Sequence, residues 1–388
     1  MPDFDLVILG AGPAGTAAAR EARRLGLTAA LVDKAVFPRP KLCGGLVTGR
    51  CAAHLAEIFG IEITPDLFET RRNFEFHLHD QPLGTLENVP PLHLTMRWDF
   101  DHRLLQEALA AGAADYTGHR VETHDLTAGR LTLASGETLT YKLLIAADGV
   151  QSPTAKALFG QPFSRDTIGF ALEVEAPSQA PTEATPIRID FAAADWGYGW
   201  SFPKKHSTTI GLGGLHARNP QMKAHLAAYL ARLGTGQSAP VKGHFLPFGA
   251  PKPKPGKGNV LLAGDAAGLV DPITGEGIGH AIHSGALAAR AAKTALDQGD
   301  AGRALALYTK STQPIRRAIA QARILRPLIF SARLQPFFAR TFAASQTLKR
   351  DYMHLLSGDM EYPALLRRTA LRLPRAAIRY LSAAASRN

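Results

Sequence analysis

Two glycine-rich strings in this chain have the residue types and spacing to do chemistry. The first is Gly10-Ala11-Gly12-Pro13-Ala14-Gly15, after the apolar run Asp5–Leu9 and before an Ala-rich segment. Gly10 suits a tight turn, Gly12 lets backbone approach a pyrophosphate, and Gly15 lets a helix pack on a strand. The helix start would supply free N–H groups and partial positive charge to phosphate. Asp33, closing the next apolar run, suits a ribose hydroxyl, with Lys34 beside it. The second string is Gly264-Asp265-Ala266-Ala267-Gly268, followed by Asp271-Pro272-Ile273-Thr274-Gly275-Glu276-Gly277-Ile278-Gly279. One glycine fingerprint alone indicates a dinucleotide. The two strings in this order, at opposite ends of the catalytic body, indicate FAD.

The elements that must position these strings follow from the hydrophobic pattern. Asp5–Gly10 and Thr28–Asp33 read as strands flanking a helix from Gly15 to Gly26, which is one βαβ unit. A Pro/Gly-rich loop follows over 37–50, then a helix over 51–60. Residues 72–96 alternate as antiparallel strands do, and Asp101–Ala111 reads as a helix. Short strands over 120–147 lead to Asp148-Gly149. Residues 168–215 are again strand-like, 220–233 helical, Asn259–Ala263 a buried strand and Gly277–Leu296 a helix of small residues. From 302 to about 350 the pattern predicts helices broken at Pro314, Pro327 and Pro336. Gly211-Leu212-Gly213-Gly214 lacks a following Ala-rich helix and is not read as a second dinucleotide site.

The expected fold is therefore α/β: a Rossmann-type FAD-binding domain with an inserted antiparallel β-sheet substrate domain and a helical C-terminal segment. The FAD-binding domain is discontinuous, over 1–70, 95–160 and 258–300. The substrate domain takes 71–94 and 161–257, and residues 301–388 form a basic helical region. A length of 388 residues accommodates this division.

Charge is unevenly placed. Of the net +11, residues 301–388 carry 16 Lys/Arg against Asp351, Asp359 and Glu361, a net of +13. The remainder is nearly neutral, so the C-terminal region is either a solvated Arg-rich face or a site for an anionic membrane surface or an acidic protein. Nucleic acid is not the expected partner. No apolar run approaches the length of a membrane span. Asp3 and Asp5 argue against a signal peptide, and two cysteines make no disulfide framework. The expected location is cytoplasmic, with peripheral association at the inner face of the membrane.

Further motifs carry a family resemblance. Asp148-Gly149-Val150-Gln151-Ser152 resembles the Asp-Gly-x-x-Ser-x-x-Arg element of flavoprotein hydroxylases, with Ala155 and Lys156 where the Arg would fall. Lys41-Leu42-Cys43-Gly44-Gly45 resembles the Lys-x-Cys-Gly-Gly loop of the geranylgeranyl reductase family. Tyr198-Gly199-Trp200-Ser201-Phe202-Pro203 is similar to that family's Tyr-x-Trp-x-Phe-Pro stretch. Arg97 with Phe100-Asp101, and Gly358 with Tyr362, resemble two further family elements. The resemblance spans roughly residues 4–365 and implies a p-hydroxybenzoate hydroxylase-type fold.

The resemblance also implies roles. Asp265 would bind the ribityl chain, Pro272 would lie beside the flavin ring, and Gly275, Gly277 and Ile278 would face its N1/O2 edge. Gly264, Lys41, Cys43, Gly44, Arg97 and Asp148 complete the expected cofactor contacts. Tyr198 and Trp200, two apart on one strand face, would wall the substrate pocket or serve as core. Cys43 would sit at the flavin edge, pack as a small buried residue, or pair with Cys51. No His/Cys spacing suits a metal, His280 and His283 included.

The leading expectation is reduction of carbon–carbon double bonds in an isoprenoid or similarly apolar substrate by reduced FAD. NAD(P)H docking transiently, or a protein electron donor, would supply the electrons. The alternative is a monooxygenase that hydroxylates an aromatic, peptide- or carrier-bound ring through a flavin C4a-hydroperoxide. A halogenase would carry Trp and Ile where Tyr198 and Phe202 stand, and a flavin-binding protein without turnover would not need an intact flavin-edge loop.

Overall fold

The continuous apolar run Leu6–Leu9 is buried on both faces and forms the central strand, Asp3–Leu9, of an eight-stranded sheet. A computed structural model describes residues 3–79, 81–177, 181–235, 239–248 and 251–372. The central strand pairs in parallel with Ala29–Asp33 on one side and Thr138–Ala146 on the other. Ala114–Thr117 and Val260–Leu262 extend the parallel set outward. Arg130–Leu133 pairs antiparallel with Thr138–Ala146 and carries Val121–Asp125 beyond it. Val260–Leu262, from late in the chain, thus lies one strand away from Asp3–Leu9, which brings the two glycine-rich strings to the same edge of the sheet.

The helices, in chain order, are α1 (Pro13–Arg24), α2 (Gly49–Phe59), α3 (Arg97–Ala110), α4 (Pro153–Phe159), α5 (Met222–Arg232) and α6 (Ile278–Asp297). They continue as α7 (Ala304–Ser311), α8 (Gln313–Phe330), α9 (Gln335–Ala344), α10 (Gln346–Ser357) and α11 (Tyr362–Arg372). Helices α1 and α6 pack through alanines and glycine, part of one buried cluster with Leu6, Ile8 and Leu31. A Cβ on Gly285 of α6 would lie 2.0 Å from the Ala14 carbonyl oxygen, so this contact requires glycine.

The second sheet has seven strands, in the order Lys242–Leu246, Gly169–Pro177, Ser207–Leu215, Tyr198–Pro203, Ile187–Phe191, Phe74–Leu78 and Gln81–Leu86. All its pairings are antiparallel except that between Ile187–Phe191 and Phe74–Leu78. Leu172, Val174, Ile210 and Leu212 pack with α5. Elsewhere on the sheet Phe76 and Phe191 meet Phe342 and Tyr352 edge to face, at centroid distances of 5.2 to 5.9 Å. The C-terminal helices are thereby bound to this sheet. Gly211 and Gly213 lie within the Ser207–Leu215 strand, where no nucleotide turn exists.

Two local expectations change. The alternating stretch 72–96 divides between sheets: Glu69–Arg71 and Leu92–Leu94 pair with each other and Leu92–Leu94 with Leu46–Val47, forming a separate three-stranded sheet. Buried Arg71 holds that sheet against the larger one by donating to the Pro203 carbonyl. Pro314 and Pro336 open α8 and α9, but Pro327 lies inside α8, which continues to Phe330. Burial of Ile329 and Phe330 in the aromatic core offsets the hydrogen bond the proline removes. Of the basic C-terminal region, residues 373–388 lie outside the described residues.

Candidate active site

A cavity of about 1150 Å³ lies between the two large sheets. The C-terminal ends of the parallel strands open onto it, the place where ligands bind in open α/β sheets. Gly10 ends the central strand with φ +95°, and a Cβ there would lie 2.3 Å from the Ala147 carbonyl oxygen. Gly12 caps α1 without any side-chain bond, and Pro13 follows at the first turn. A Cβ on Gly15 would lie 1.7 Å from the Gly10 oxygen, so Gly15 serves packing and does not line the cavity. Asp33 accepts from the Ala11 and Ala35 N–H groups, each at 2.8 Å, and so fixes both loops while facing the cavity beside Lys34.

The loop after Asp33 crosses the middle of the cavity. Arg39 stacks on Phe37 and reaches Asp101 at 3.3 Å. Arg97 makes a bidentate pair with fully buried Asp101, at 2.6 and 2.7 Å. Burial opposes the Arg97 charge, but Asp101 overrides it and the guanidinium pKa rises. Lys41 is pulled down by burial and by Arg97, with Asp265 working against both. Cys43 donates its backbone N–H to Glu173 Oε1 at 2.9 Å, and its Sγ accepts from the Gly45 N–H at 3.4 Å. Cys43 and Cys51 are both free thiols, so they do not pair. A Cβ on Gly44 would meet the Phe202 ring at 2.6 Å, which draws the loop tight against the second sheet.

The second glycine string forms the opposite rim. Gly277 caps α6, again with no side-chain bond, so the N-termini of α1 and α6 both open uncapped onto one cavity. Asp265 lines it with its carboxyl pushed up by burial, against the pull of Lys41 and Arg97. Gly264 donates its N–H to Ser284 and nests against Ala14 and Ala281, while Pro272 is buried in the turn behind the rim; neither lines the cavity. Asp271 accepts from the Ile273 and Thr274 N–H groups and from the Tyr362 hydroxyl, at 2.7 to 2.9 Å. Tyr198 donates to the Thr274 carbonyl at 2.9 Å and fills the space beside Gly275, whose φ is +72°.

The cavity thus gathers Gly10, Gly12, Pro13, Ala14, Asp33, Lys34, Lys41, Cys43, Gly44, Arg97, Asp148, Asp265, Gly275, Gly277, Ile278, Tyr198 and Trp200. Three buried polar atoms there lack partners, Asp148 Oδ1, Glu173 Oε2 and Trp200 Nε1. Buried orphans and uncapped helix ends on one wall suit a ligand that brings its own phosphates and ring polar atoms. An adenine dinucleotide with a flavin ring has both. Sequence reasoning missed Glu173, Arg39 and Tyr352, which also line the site. Glu173 shares its strand with a second acid, Glu175, and no sequence signal separates the two. His54 and His283 stack at 4.3 Å, and among the described residues no group of three or more His, Cys, Asp or Glu is placed to hold a metal.

Comparison with known proteins gives the same class. Residues 4–176 match the pyridine nucleotide-disulphide oxidoreductase family model. The menaquinone reductase of Mycobacterium tuberculosis is 32% identical over 308 residues, 74% of this chain and 75% of the relative. The geranylgeranyl diphosphate reductase of Rhodobacter capsulatus is 30% identical over 323 residues, 76% of each chain. In fold, the chain is similar to a geranylgeranyl bacteriochlorophyll reductase-like protein from Thermoplasma acidophilum (TM-score 0.80, 21% identity, covering 95% of this chain and 98% of that one). It is also similar to a flavin-dependent brominase, with TM-score 0.69 and 18% identity over 92% of this chain and 94% of that one. Glycine strings, cavity and relatives converge: this chain is an FAD-dependent oxidoreductase and belongs to the geranylgeranyl reductase family.

Proposed function

We propose that this enzyme reduces carbon–carbon double bonds in the isoprenoid chain of a lipid or quinone. One observation carries the reading. The same cavity that meets the two uncapped helix ends has an apolar wall of Ile189, Trp200, Phe202, Leu246, Tyr352 and Leu356. Such a wall suits a prenyl chain, and it excludes water from the reacting atoms. Relatives named as reductases of menaquinone, geranylgeranyl diphosphate and digeranylgeranylglycerophospholipid support this substrate class.

Division of labour follows from position. The N-terminus of α1, with Gly10, Gly12, Pro13 and Ala14, holds the pyrophosphate of FAD, and Asp33 with Lys34 flanks the adenosine ribose. Asp265, Asp148, Arg97, Lys41, Cys43 and Gly44 hold the ribityl and ring portion. Gly275, Gly277 and Ile278 present N–H groups to the ring edge that gains charge on reduction, with Pro272 and Gly264 shaping that rim from behind. When bound and reduced, FAD supplies hydride. Tyr198 and Trp200 form the substrate side, and Tyr198 also braces the rim through Thr274. NAD(P)H or a protein donor provides the electrons. In this reading the segments 1–70, 95–160 and 258–300 serve FAD, and 71–94 and 161–257 serve the substrate. The basic region from 301 onward holds the enzyme at an anionic membrane surface, where such substrates reside.

The second reading, a monooxygenase, draws on the fold shared with a probable FAD-dependent monooxygenase from Pseudomonas aeruginosa, TM-score 0.66. Anaerobic titration of the photoreduced enzyme separates the two. Reoxidation of the flavin by geranylgeranyl diphosphate or digeranylgeranylglycerophospholipid without oxygen is the expected result. Reoxidation only when oxygen is admitted contradicts the reductase reading.

A further inference from the structure

Reducing a double bond needs a hydride and a proton. In an apolar slot the proton must come from a group built into the wall. We propose that Glu173 delivers this proton to the substrate, an inference that rests on the reductase reading above.

Among the described residues, Glu173 is the one carboxyl that the second sheet contributes to the cavity. It is 6% exposed. Its Oε1 is tied to the Cys43 N–H at 2.9 Å, while its Oε2 is buried with no partner. Across the ladder it faces Gly211. The side chain missing at Gly211 is replaced by the Trp200 ring, which a Cβ there would meet at 2.5 Å. The carboxyl therefore stands beside the aromatic wall, one oxygen anchored and the other free to carry a proton.

Most acids and bases lining this side are engaged or in the wrong state. Tyr198 spends its proton on the Thr274 carbonyl and Arg97 is paired with Asp101. Cys43 stays a competing donor, since its Sγ takes the Gly45 N–H but keeps its own proton, and the Glu173 variants separate the two. His244 is pushed by burial down to about 4, so it holds no proton at neutral pH to give. Asp148, Asp265 and Glu276 belong to the loops of the first sheet and the α6 rim. The groups facing Glu173 are Cys43 and Lys41 on the crossing loop, Lys204 at the end of the Tyr198–Pro203 strand, Glu175 on its own strand, and Lys242 and His244 on the neighbouring strand. Burial raises the Glu173 carboxyl to about 7, against the Cys43 N–H and the charges of Lys204 and Lys41. At neutral pH it can both hold a proton and release it.

In the step, the π bond breaks. One carbon takes a hydride from reduced FAD, which is oxidised by two electrons, and the other carbon takes the proton from Glu173 Oε2. Two C–H bonds form, and the carboxylate left behind regains a proton from water when the product leaves. The electrons originate from NAD(P)H or a protein donor.

The test uses full-length flavin-loaded protein, wild type, Glu173→Gln and Glu173→Asp. Glutamine keeps an acceptor for the Cys43 N–H but has no proton to deliver. In anaerobic stopped flow with geranylgeranyl diphosphate or digeranylgeranylglycerophospholipid, wild-type flavin reoxidation slows as pH rises through about 7. Glu173→Gln retains its flavin, reoxidises about 100-fold or more slowly, and loses the pH dependence, which Glu173→Asp restores in part. A Glu173→Gln rate within a few-fold of wild type, with the same pH profile, overturns the proposal. An independent readout is infrared difference spectroscopy without substrate. Wild type is expected to show a protonated-carboxyl C=O band that titrates near neutral pH and is missing in Glu173→Gln. No such band overturns the proposal even if neither probe proves to be a substrate, an outcome that would count separately against the reductase reading.

Discussion

Individual side chains bind the three chain segments of the site into one unit. Tyr362, 3% exposed on α11, donates to both oxygens of Asp271, whose own contacts shape the turn ahead of α6. Tyr362→Phe removes a buried bond to a carboxylate, a loss of about 1.5–3 kcal/mol. Thermal unfolding of Tyr362→Phe is expected at lower temperature, together with weaker flavin retention, because the rim loses its brace. Unchanged melting and flavin content would show the latch to be idle. Arg97 is a sharper case. Arg97→Met removes the bidentate partner of buried Asp101 and leaves it only Arg39 at 3.3 Å, and a cost of up to about 3–5 kcal/mol is expected in denaturant titration. Sequence motifs pointed to Arg97, Cys43 and Tyr198 because their spacing is distinctive. They could not point to Glu173, since an acid in a strand, like its neighbour Glu175, looks the same whether it faces water or a cavity. Only the register with Gly211 and the bond from Cys43 reveal which way it faces.

At the scale of elements, the close approach of α1 and α6 decides whether the two glycine strings can share a ligand. Gly285 has no space for a side chain against α1, and Gly15 has none against the Gly10 turn that leads into α1. Gly15→Ala places a methyl group 1.7 Å from the Gly10 oxygen and must displace α1 from its strand. Purified Gly15→Ala is expected to carry little or no flavin by absorbance, whereas a normal flavin-to-protein ratio would contradict the assignment of the α1 N-terminus. The βαβ unit, the Asn259–Ala263 strand and the small-residue helix were legible because buried parallel strands and Ala-rich helices have strong local patterns. The division of 72–96 between two sheets was not legible. Alternation reports a half-buried strand but not its partner, and Leu92–Leu94 finds its partner at Leu46–Val47, far back in sequence. Pro327 within α8 is likewise a tertiary result, set by the buried residues that follow it.

For the whole molecule, two properties follow from buried titratable groups and surface charge. His124, His244, His280 and His283 are each lowered to about 4 by burial. The unfolded chain binds these protons near 6.5, so their contribution to stability is present above that pH and is lost as pH falls through about 4. Glu173 acts in the opposite direction between 4.5 and about 7, where the folded state holds the extra proton. Asp148, Asp265 and Glu276, also raised by burial, act with Glu173, and His54 and His93, also lowered, act with the other histidines; six lowered imidazoles outnumber four raised carboxyls, and the melting temperature is expected to fall as pH drops from neutral to about 4. A flat profile would contradict the burial of these imidazoles. Among the described residues no helix is long and apolar enough to cross a membrane. On the C-terminal helices, Arg317, Arg323, Arg340 and Arg350 are exposed, and Ile324 is 78% exposed among them. At about 1 kcal/mol per basic residue near an anionic surface, replacing these four arginines by glutamine should weaken sedimentation with phosphatidylglycerol vesicles at least about tenfold. Equal sedimentation of the variant, or equal binding to phosphatidylcholine vesicles, would remove the membrane role.

The central claim is that this cavity places an isoprenoid double bond against reduced FAD. The most direct measurement mixes photoreduced enzyme, without oxygen, with geranylgeranyl diphosphate or digeranylgeranylglycerophospholipid, following flavin absorbance and product mass together. The account predicts that the flavin returns to its oxidised spectrum as the product gains two hydrogens per reduced bond. A flavin that stays reduced until oxygen is admitted, with a product that gains an oxygen atom instead, would contradict it.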